Sequence, residues 1–394
     1  MSASKGITAP KHDAAVKGTD ESLRFGFGRN WSDFIAQHFS DDRVESSRAH
    51  LLKALRLKTL AELSFLDIGC GSGLHSLAAL RAGANRVYGF DFDPDSVATS
   101  IKVRDMTVGA TAPWTVERGS VLDAACMKQL EPADIVYSWG VLHHTGDLWT
   151  AMDNAIIPRK PDGVVYLALY SSDQYVEPPA NHWVRIKKSY NQRGALGKRI
   201  MEWKHASRLF VGGLRSGVMP WTVMRNAGVR GMNFWTDIRD WLGGWPIEFA
   251  SYVEVEQWAA RHGLTIVNAV LGEGCTEYVL ADLQHHQVWA AEERRRLAAR
   301  KPLPAPFEKN AGISWTSYIP AQIGACDEAL TPRGSRLMLY DGDRPFGLPH
   351  FLHAHIGRYG QGRFGHWRDH VIFATPDGSD PNADPSRYTY VADY

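Results

Sequence analysis

Two clusters of residues have the types and spacing to do chemistry. The first is Leu66-Asp67-Ile68-Gly69-Cys70-Gly71-Ser72-Gly73. Glycines spaced G-x-G-x-G let the chain turn sharply and let a ligand approach the backbone. Leu74 stands where a dinucleotide fingerprint wants its third glycine, which argues against NAD or FAD. Asp67, just before the turn, suits a ligand with an ammonium group and would repel a pyrophosphate. Asp91 follows about twenty residues later, where a carboxylate can accept two hydrogen bonds from ribose hydroxyls. Phe92, next along, can pack on an adenine face. The second cluster is His143 and His144. An unperturbed imidazole titrates near pH ~6.5 and so suits a base at neutral pH. One reading has one of them deprotonate a substrate hydroxyl. The other has the pair shape a loop or pack beside the bound ligand.

The surrounding sequence must position these groups. Ser64–Ile68, Arg86–Phe90, Trp114–Glu117, Asp134–Ser138 and Gly163–Tyr170 read as strands. Helices are predicted over Leu74–Ala82, from Pro94 to about Val103, and over Asp147–Ile156. Trp31–Phe39 and Val44–Leu55 also carry helical spacing. This alternation indicates βαβ units, a largely parallel sheet and a ligand at the carboxyl ends of the strands. The next eighty or so residues, 171–250, show no clear strand character. They leave the fifth strand at its carboxyl end and are predicted to cap the cofactor. Helical periodicity returns at Val253–Arg261, with Gly263 as its C-cap. Leu264–Val270 and Thr276–Ala281 then read as strands that close the sheet, and Gln284–Arg300 as a charged helix. The expected organisation is a flexible tail (1–21), a cofactor-binding domain (22–300) with its cap insertion (171–250), a proline-rich linker (301–310) and a small β-rich module (311–394). Strand-like pieces of that module are Arg336–Tyr340 before an Asp-Gly turn, His370–Ala374 and Arg387–Val391.

With those residues in place, a resemblance emerges. LDIGCGSG resembles motif I of the class I S-adenosylmethionine (SAM)-dependent methyltransferases, and FDFDP resembles their second acidic motif. Gly119-Ser120-Val121-Leu122-Asp123 is similar to the segment lining the adenine. Asp134 to His144 resembles the fourth motif and the loop after it. Pro161-Asp162-Gly163 resembles the turn before the fifth strand, with Asp162 departing from the usual glycine. The resemblance implies a Rossmann-like α/β fold: seven strands, mostly parallel, the last antiparallel. It implies SAM as cofactor, held by Phe27, Asp67, Gly69, Cys70, Gly71, Gly73, Asp91, Phe92, Ser120, Val121, Ser138 and Trp139, with Phe25 to Trp31 lying over it.

Bulk properties bound the partners. The chain has 394 residues, a net charge of +1 and four cysteines without a CxxC pair, so neither a zinc ribbon nor a disulfide framework is expected. His350, His353 and His355 cluster without an acid among them, and no metal is expected. Residues 1–21 lack the apolar core of a secretory signal, and no apolar run approaches the ~18 residues of a membrane span. A cytoplasmic protein without a membrane partner is therefore expected. From Asn181 to Arg230 there are eleven basic residues and one acid, Glu202. They either hold an anionic substrate or form a solvated helical face. The six tryptophans of the cap, Trp183, Trp203, Trp221, Trp235, Trp241 and Trp245, build either a substrate wall or the cap's own core. Arg225, Arg230, Trp235, Asp237 and Asp240 are the cap residues expected to reach the substrate. The expected activity is O-methylation of a small molecule such as a sugar, a sugar nucleotide or a natural-product intermediate, by a chain able to form a homodimer. An RNA-modifying methyltransferase and a non-catalytic SAM-binding protein are the alternatives.

Overall fold

Buried apolar runs alternate with amphipathic segments in the first half of the chain, and they assemble into one sheet. The computed structural model describes residues 25–26, 28, 35, 39–215, 217–227, 234–272, 274–319, 326–327 and 334–392. The tail at 1–21, Phe27 and most of the helix expected over Trp31–Phe39 lie outside them. The strands are β1 (Ser64–Ile68), β2 (Arg86–Asp91), β3 (Trp114–Arg118), β4 (Ala133–Trp139), β5 (Arg159–Leu169), β6 (Thr265–Leu271) and β7 (Thr276–Ala281). They form a seven-stranded sheet in the order β3-β2-β1-β4-β5-β7-β6. β1 runs parallel to β2 from Ser64↔Arg86 to Ile68↔Phe90, while β7 is antiparallel to both β5 and β6. All five residues of β1 are buried, as a central parallel strand requires. Strand order reverses between β1 and β4, and that crevice is where open α/β sheets bind ligands.

The described residues cluster into two compact units, 1–159 with 174–249, and 160–173 with 250–394. In the first, helices α1 (Asp41–Leu55), α2 (Leu74–Arg81), α3 (Pro94–Thr107), α4 (Ala124–Gln129) and α5 (Leu148–Ala155) accompany β1–β4. Local capping sets their starts. The Asp93 carboxylate accepts from Asp95 N at 3.0 Å, and Asp123 caps α4 through Ala125 N and Cys126 N. The segment without strand character is helical: α6 (Ala180–Asn191), α7 (Ala195–Arg215), α8 (Pro220–Ala227) and α9 (Phe234–Gly243). These helices close on their own core of Tyr190, Ala206, Phe234, Ile238 and Leu242.

The second unit holds β5–β7, α10 (Tyr252–Arg261) and α11 (Gln287–Ala298). A capping box between Ser251 and Glu254 starts α10, and Gly263, at φ +69°, follows its end. Eight short strands follow: β8 (Lys301–Pro302), β9 (Glu308–Lys309), β10 (Trp315–Tyr318), β11 (Met338–Asp341), β12 (Arg344–Pro345), β13 (Phe364–Trp367), β14 (His370–Phe373) and β15 (Tyr388–Val391). They make two four-stranded sheets, β13-β14-β10-β9 and β12-β11-β15-β8, with α12 (His353–Tyr359) beside the first. The expected linker at 301–310 is corrected here. Its ends pair as β8 and β9, and its Leu303 and Phe307 are buried with Leu339, Phe373 and Tyr388. The alternating prolines stiffen a strand connection rather than a spacer. Arg363 meets Asp173 at 3.3 Å, and Arg300 meets Asp343 at 2.7 Å, so the β-rich strands and the end of the large sheet form one folded body. The module's histidines bond locally: His350 Nδ1 to Asp327 at 2.9 Å, and His366 Nδ1 to the Ser335 hydroxyl at 2.7 Å.

Candidate active site

The glycine turn leaves β1 beside the ends of β2 and β4. Gly69, Gly71 and Gly73 have φ of +74°, +54° and +76°, a region that excludes most side chains. Space excludes them as well: a Cβ on Gly69 would lie 2.4 Å from Val141 Cγ1, and one on Gly73 would lie 2.9 Å from Ser100 Oγ. The turn is anchored by Gly69 N and Cys70 N, which donate to Phe90 O at 2.8 and 3.0 Å.

Two carboxylates flank this backbone. Asp91 Oδ2 accepts from Gly71 N at 3.0 Å and Oδ1 from Asp93 N at 2.9 Å. Each oxygen keeps capacity for another donor, which fits a pair of ribose hydroxyls. Burial raises the Asp91 pKa. Asp67 is 2 % exposed and accepts from Ser76 Oγ at 2.6 Å. Burial, reinforced by the charge of Asp91, pushes its carboxyl up to about 7. A carboxyl so raised gains its full charge when an ammonium group arrives. The crevice therefore fits a nucleoside that carries an amino-acid ammonium, the shape of SAM.

The other expected cofactor residues sort by what they touch. Phe92 is exposed at the end of β2, with the Arg118 guanidinium 5.8 Å from its ring centre. Gly28 N donates to Asp93 Oδ2 at 2.8 Å, which brings that part of the N-terminal segment to the loop after Asp91. The Cys70 thiol is buried next to Ser100 Oγ, and burial raises its pKa, so the backbone is what Cys70 offers a ligand. The Ser120 hydroxyl accepts from Leu122 N, and buried Val121 accepts from Asn154 Nδ2 through its carbonyl. Ser138 is fully buried and its hydroxyl donates to Ile68 O at 3.0 Å, tying β4 to β1. Trp139, exposed at the end of β4, has the His75 ring 5.8 Å away.

The structure separates the two histidines. They lie on a single 3-10 turn, Leu142–His144, directly after β4. His143 is 1 % exposed, and burial, then the nearby His144 and Lys187, hold its pKa well below the usual imidazole value. Its ring centre is 4.4 Å from that of His144. His144 is half-buried, and its Nδ1 lies 2.7 Å from Pro246 O. A carbonyl only accepts, so Nδ1 carries the hydrogen and the lone pair of the neutral ring falls on Nε2. The same cap segment bonds the loop twice more: Glu248 N to His143 O at 2.9 Å, and Leu148 N to Glu248 Oε2 at 2.9 Å. Burial pushes the Glu248 carboxyl up to about 7.

Lys187, on α6, is wholly buried. Its Nζ donates to Trp241 O and stands 4.2 Å above the Trp241 ring. Burial pulls its pKa down to about 7, with Asp240 opposing. Tyr175 stacks on Trp241 at 5.7 Å, and Trp183 meets it edge-on at 5.2 Å. Of the five expected substrate residues, Arg230 and the side chain of Arg225 lie outside the described residues. Asp240 acts on Lys187. Asp237 lies in the first turn of α9, and Trp235 packs on Trp203 and Phe234 in the cap. Sequence reasoning missed Lys187, Pro246 and Glu248. Lys187 was one of eleven bases with nothing to single it out, and Pro246 acts through its carbonyl, which side-chain patterns do not show.

A family model described as a methyltransferase domain matches residues 37–242. A ribosomal protein L11 methyltransferase from Paraburkholderia phytofirmans is 33 % identical over 92 residues, which are 23 % of this chain and 26 % of that protein. One from a Cyanothece strain is 38 % identical over 60 residues, 15 % of this chain and 20 % of that protein. The alignment with these relatives thus spans about a quarter or less of their length. Among solved structures, a magnesium protoporphyrin IX methyltransferase from Synechocystis with bound SAH is similar at 15 % identity and a TM-score of 0.36, over 60 % of this chain and 81 % of that one. An O-methyltransferase family protein from Burkholderia thailandensis is similar at 14 % identity and a TM-score of 0.38, over 61 % and 57 %.

Proposed function

Because the chain belongs to the methyltransferase-domain family, whose methyl donor is SAM, we propose that it methylates a hydroxyl group of a small-molecule acceptor, with His144 as general base. The observation that carries this reading is the bond from His144 Nδ1 to Pro246 O.

Bound SAM supplies a methyl group already activated by a positive sulfur. The protein's own task is alignment and proton removal. The glycine turn leaves room for the backbone to meet the ligand, Asp67 receives its ammonium group and Asp91 its ribose hydroxyls. Alignment of this kind is worth up to about 7–11 kcal/mol. His144 takes the acceptor's proton on Nε2 while Nδ1–H stays on Pro246 O, so the ring keeps its orientation as it becomes charged. A base so placed contributes about 10²–10⁴ in rate. Buried His143 stays neutral and packs beneath its neighbour. The aromatic group of Tyr175, Trp183 and Trp241 supports an acceptor with a flat or apolar face. None of the four cysteines forms a disulfide, which supports a cytoplasmic site of action.

The test is transfer of a labelled methyl group from SAM to a panel of phenols, sugars and sugar nucleotides, with amines and RNA as controls. Label on an oxygen of a small molecule supports the reading. Label only on amines, or only on RNA, refutes it.

A further inference from the structure

The long cap helix α7 buries one side and leaves the other uncovered, yet the uncovered side is apolar. Leu196, Ile200, Trp203, Val211 and Leu214 are all exposed, Leu196 at 76 %. Their spacing puts them on a single stripe of the helix, turned away from the partly buried Met201, Glu202 and His205, with fully buried Ala206 about a quarter-turn from the stripe. Trp221, at 65 % exposure on the neighbouring helix α8, extends the patch. Exposed bases border the stripe: Arg199, Lys204, Arg208 and Arg215. The one acid of α7, Glu202, is turned inward and accepts from the Tyr190 hydroxyl at 2.7 Å.

We propose that this face of the cap docks on an anionic lipid bilayer. The charge pattern selects the occupant. A second copy of the chain would bring one ring of arginine and lysine against another, without an acid to receive it. RNA would meet the bases but would offer no apolar medium for Leu196, Ile200 and Leu214. An anionic membrane surface takes both parts, with the apolar stripe among acyl chains and the bases at the headgroups. Trp203 and Trp221 have the amphipathic side chains that settle at such a boundary. A helix of this length lies flat over about 30 Å. Among the described residues no helix is long and apolar enough to cross a membrane, so the contact is peripheral. The sequence-based expectation of no membrane partner rested on the lack of a spanning run, and a stripe repeating every three or four residues never produces one.

The experiment is sedimentation of the full chain with vesicles of phosphatidylcholine alone and of phosphatidylcholine mixed with phosphatidylglycerol. Binding is expected to the mixed vesicles and to fall with salt. Each basic residue removed is expected to weaken it about fivefold, so Lys204→Gln with Arg208→Gln together cost about twenty-five-fold. Ile200→Glu with Leu214→Glu should abolish binding while the thermal melting temperature holds, since both side chains are exposed. The proposal is overturned if neither vesicle binds or if both are bound equally. It is also overturned if the glutamate variant binds as well as the original. Two further results would replace it: RNA binding that needs the bases but ignores Ile200 and Leu214, or a lipid-independent dimer that Ile200→Glu dissolves.

Discussion

Nδ1 of His144 lies 2.7 Å from the carbonyl oxygen of Pro246, 102 residues further along the chain. That bond fixes the tautomer of one histidine and so distinguishes it from His143, whose ring is buried. It also means that the cap segment orients a group on the loop after β4.

His144→Ala should lower kcat by about 10²–10⁴ and leave SAM affinity within about twofold. His143→Ala should act mainly on stability, through lost packing. Steady-state kinetics, calorimetric SAM titration and thermal melting on both variants check this. Full turnover in His144→Ala would remove the base from the account.

SAM binding should take up or release protons in a definite sense. With Asp67 raised to about 7, the carboxyl is partly protonated near neutrality. An incoming ammonium favours the ionised form, so binding should release protons and tighten as pH rises from about 6 to 8. Calorimetry in two buffers of different ionisation enthalpy measures the release. Uptake, or tighter binding at the lower pH, would contradict the placement of Asp67.

The same buried groups set opposite slopes of stability with pH. The folded Asp67 carboxyl binds its proton more tightly than its ordinary 3.8, so its contribution is present at low pH and is lost as pH rises from about 4 to about 7. Lys187 is lowered from 10.5 to about 7, so its contribution is present at high pH and is lost as pH falls through that window. Asp67→Asn should therefore raise the melting temperature more at pH 8 than at pH 5 while weakening SAM binding. Lys187→Met should stabilise near neutrality, on the order of 2–4 kcal/mol if packing is kept. Denaturant titrations at several pH values check both signs.

Gly69→Ala should be far worse than its one added methyl suggests. It forces a side chain into positive φ, at a cost of about 1–2 kcal/mol, and places Cβ 2.4 Å from Val141 Cγ1. Val141→Ala in the same chain should recover part of the loss, because it relieves the clash but not the dihedral. A double-mutant cycle on SAM affinity and melting temperature reads this coupling.

The large sheet was legible in the sequence because most of its strands carry a short apolar run bounded by turn residues, while β3 alternates buried Trp114 and Val116 with exposed Thr115 and Glu117. The glycine turn and its two acids were legible for the same reason: φ, space and charge there admit few alternatives. The cap was not. Leu196, Ile200 and Trp203 face outward while Ala206 faces inward, so α7 presents apolar residues on two sides and its period is blurred. The histidine loop was legible as a candidate, but choosing between His143 and His144 needed the carbonyl of Pro246. Proline alternation at 301–307 suggested a spacer, and only the burial of Leu303 and Phe307 shows it to be part of a sheet.

The cofactor cradle tests most directly by calorimetric titration of SAM into the intact protein and into Asp91→Ala. Stoichiometric binding to the first is expected, with a loss of about 1.5–3 kcal/mol per lost hydrogen bond in the second, about ten- to a hundredfold in Kd. No binding to the intact protein, or equal affinity in the two, would contradict the account.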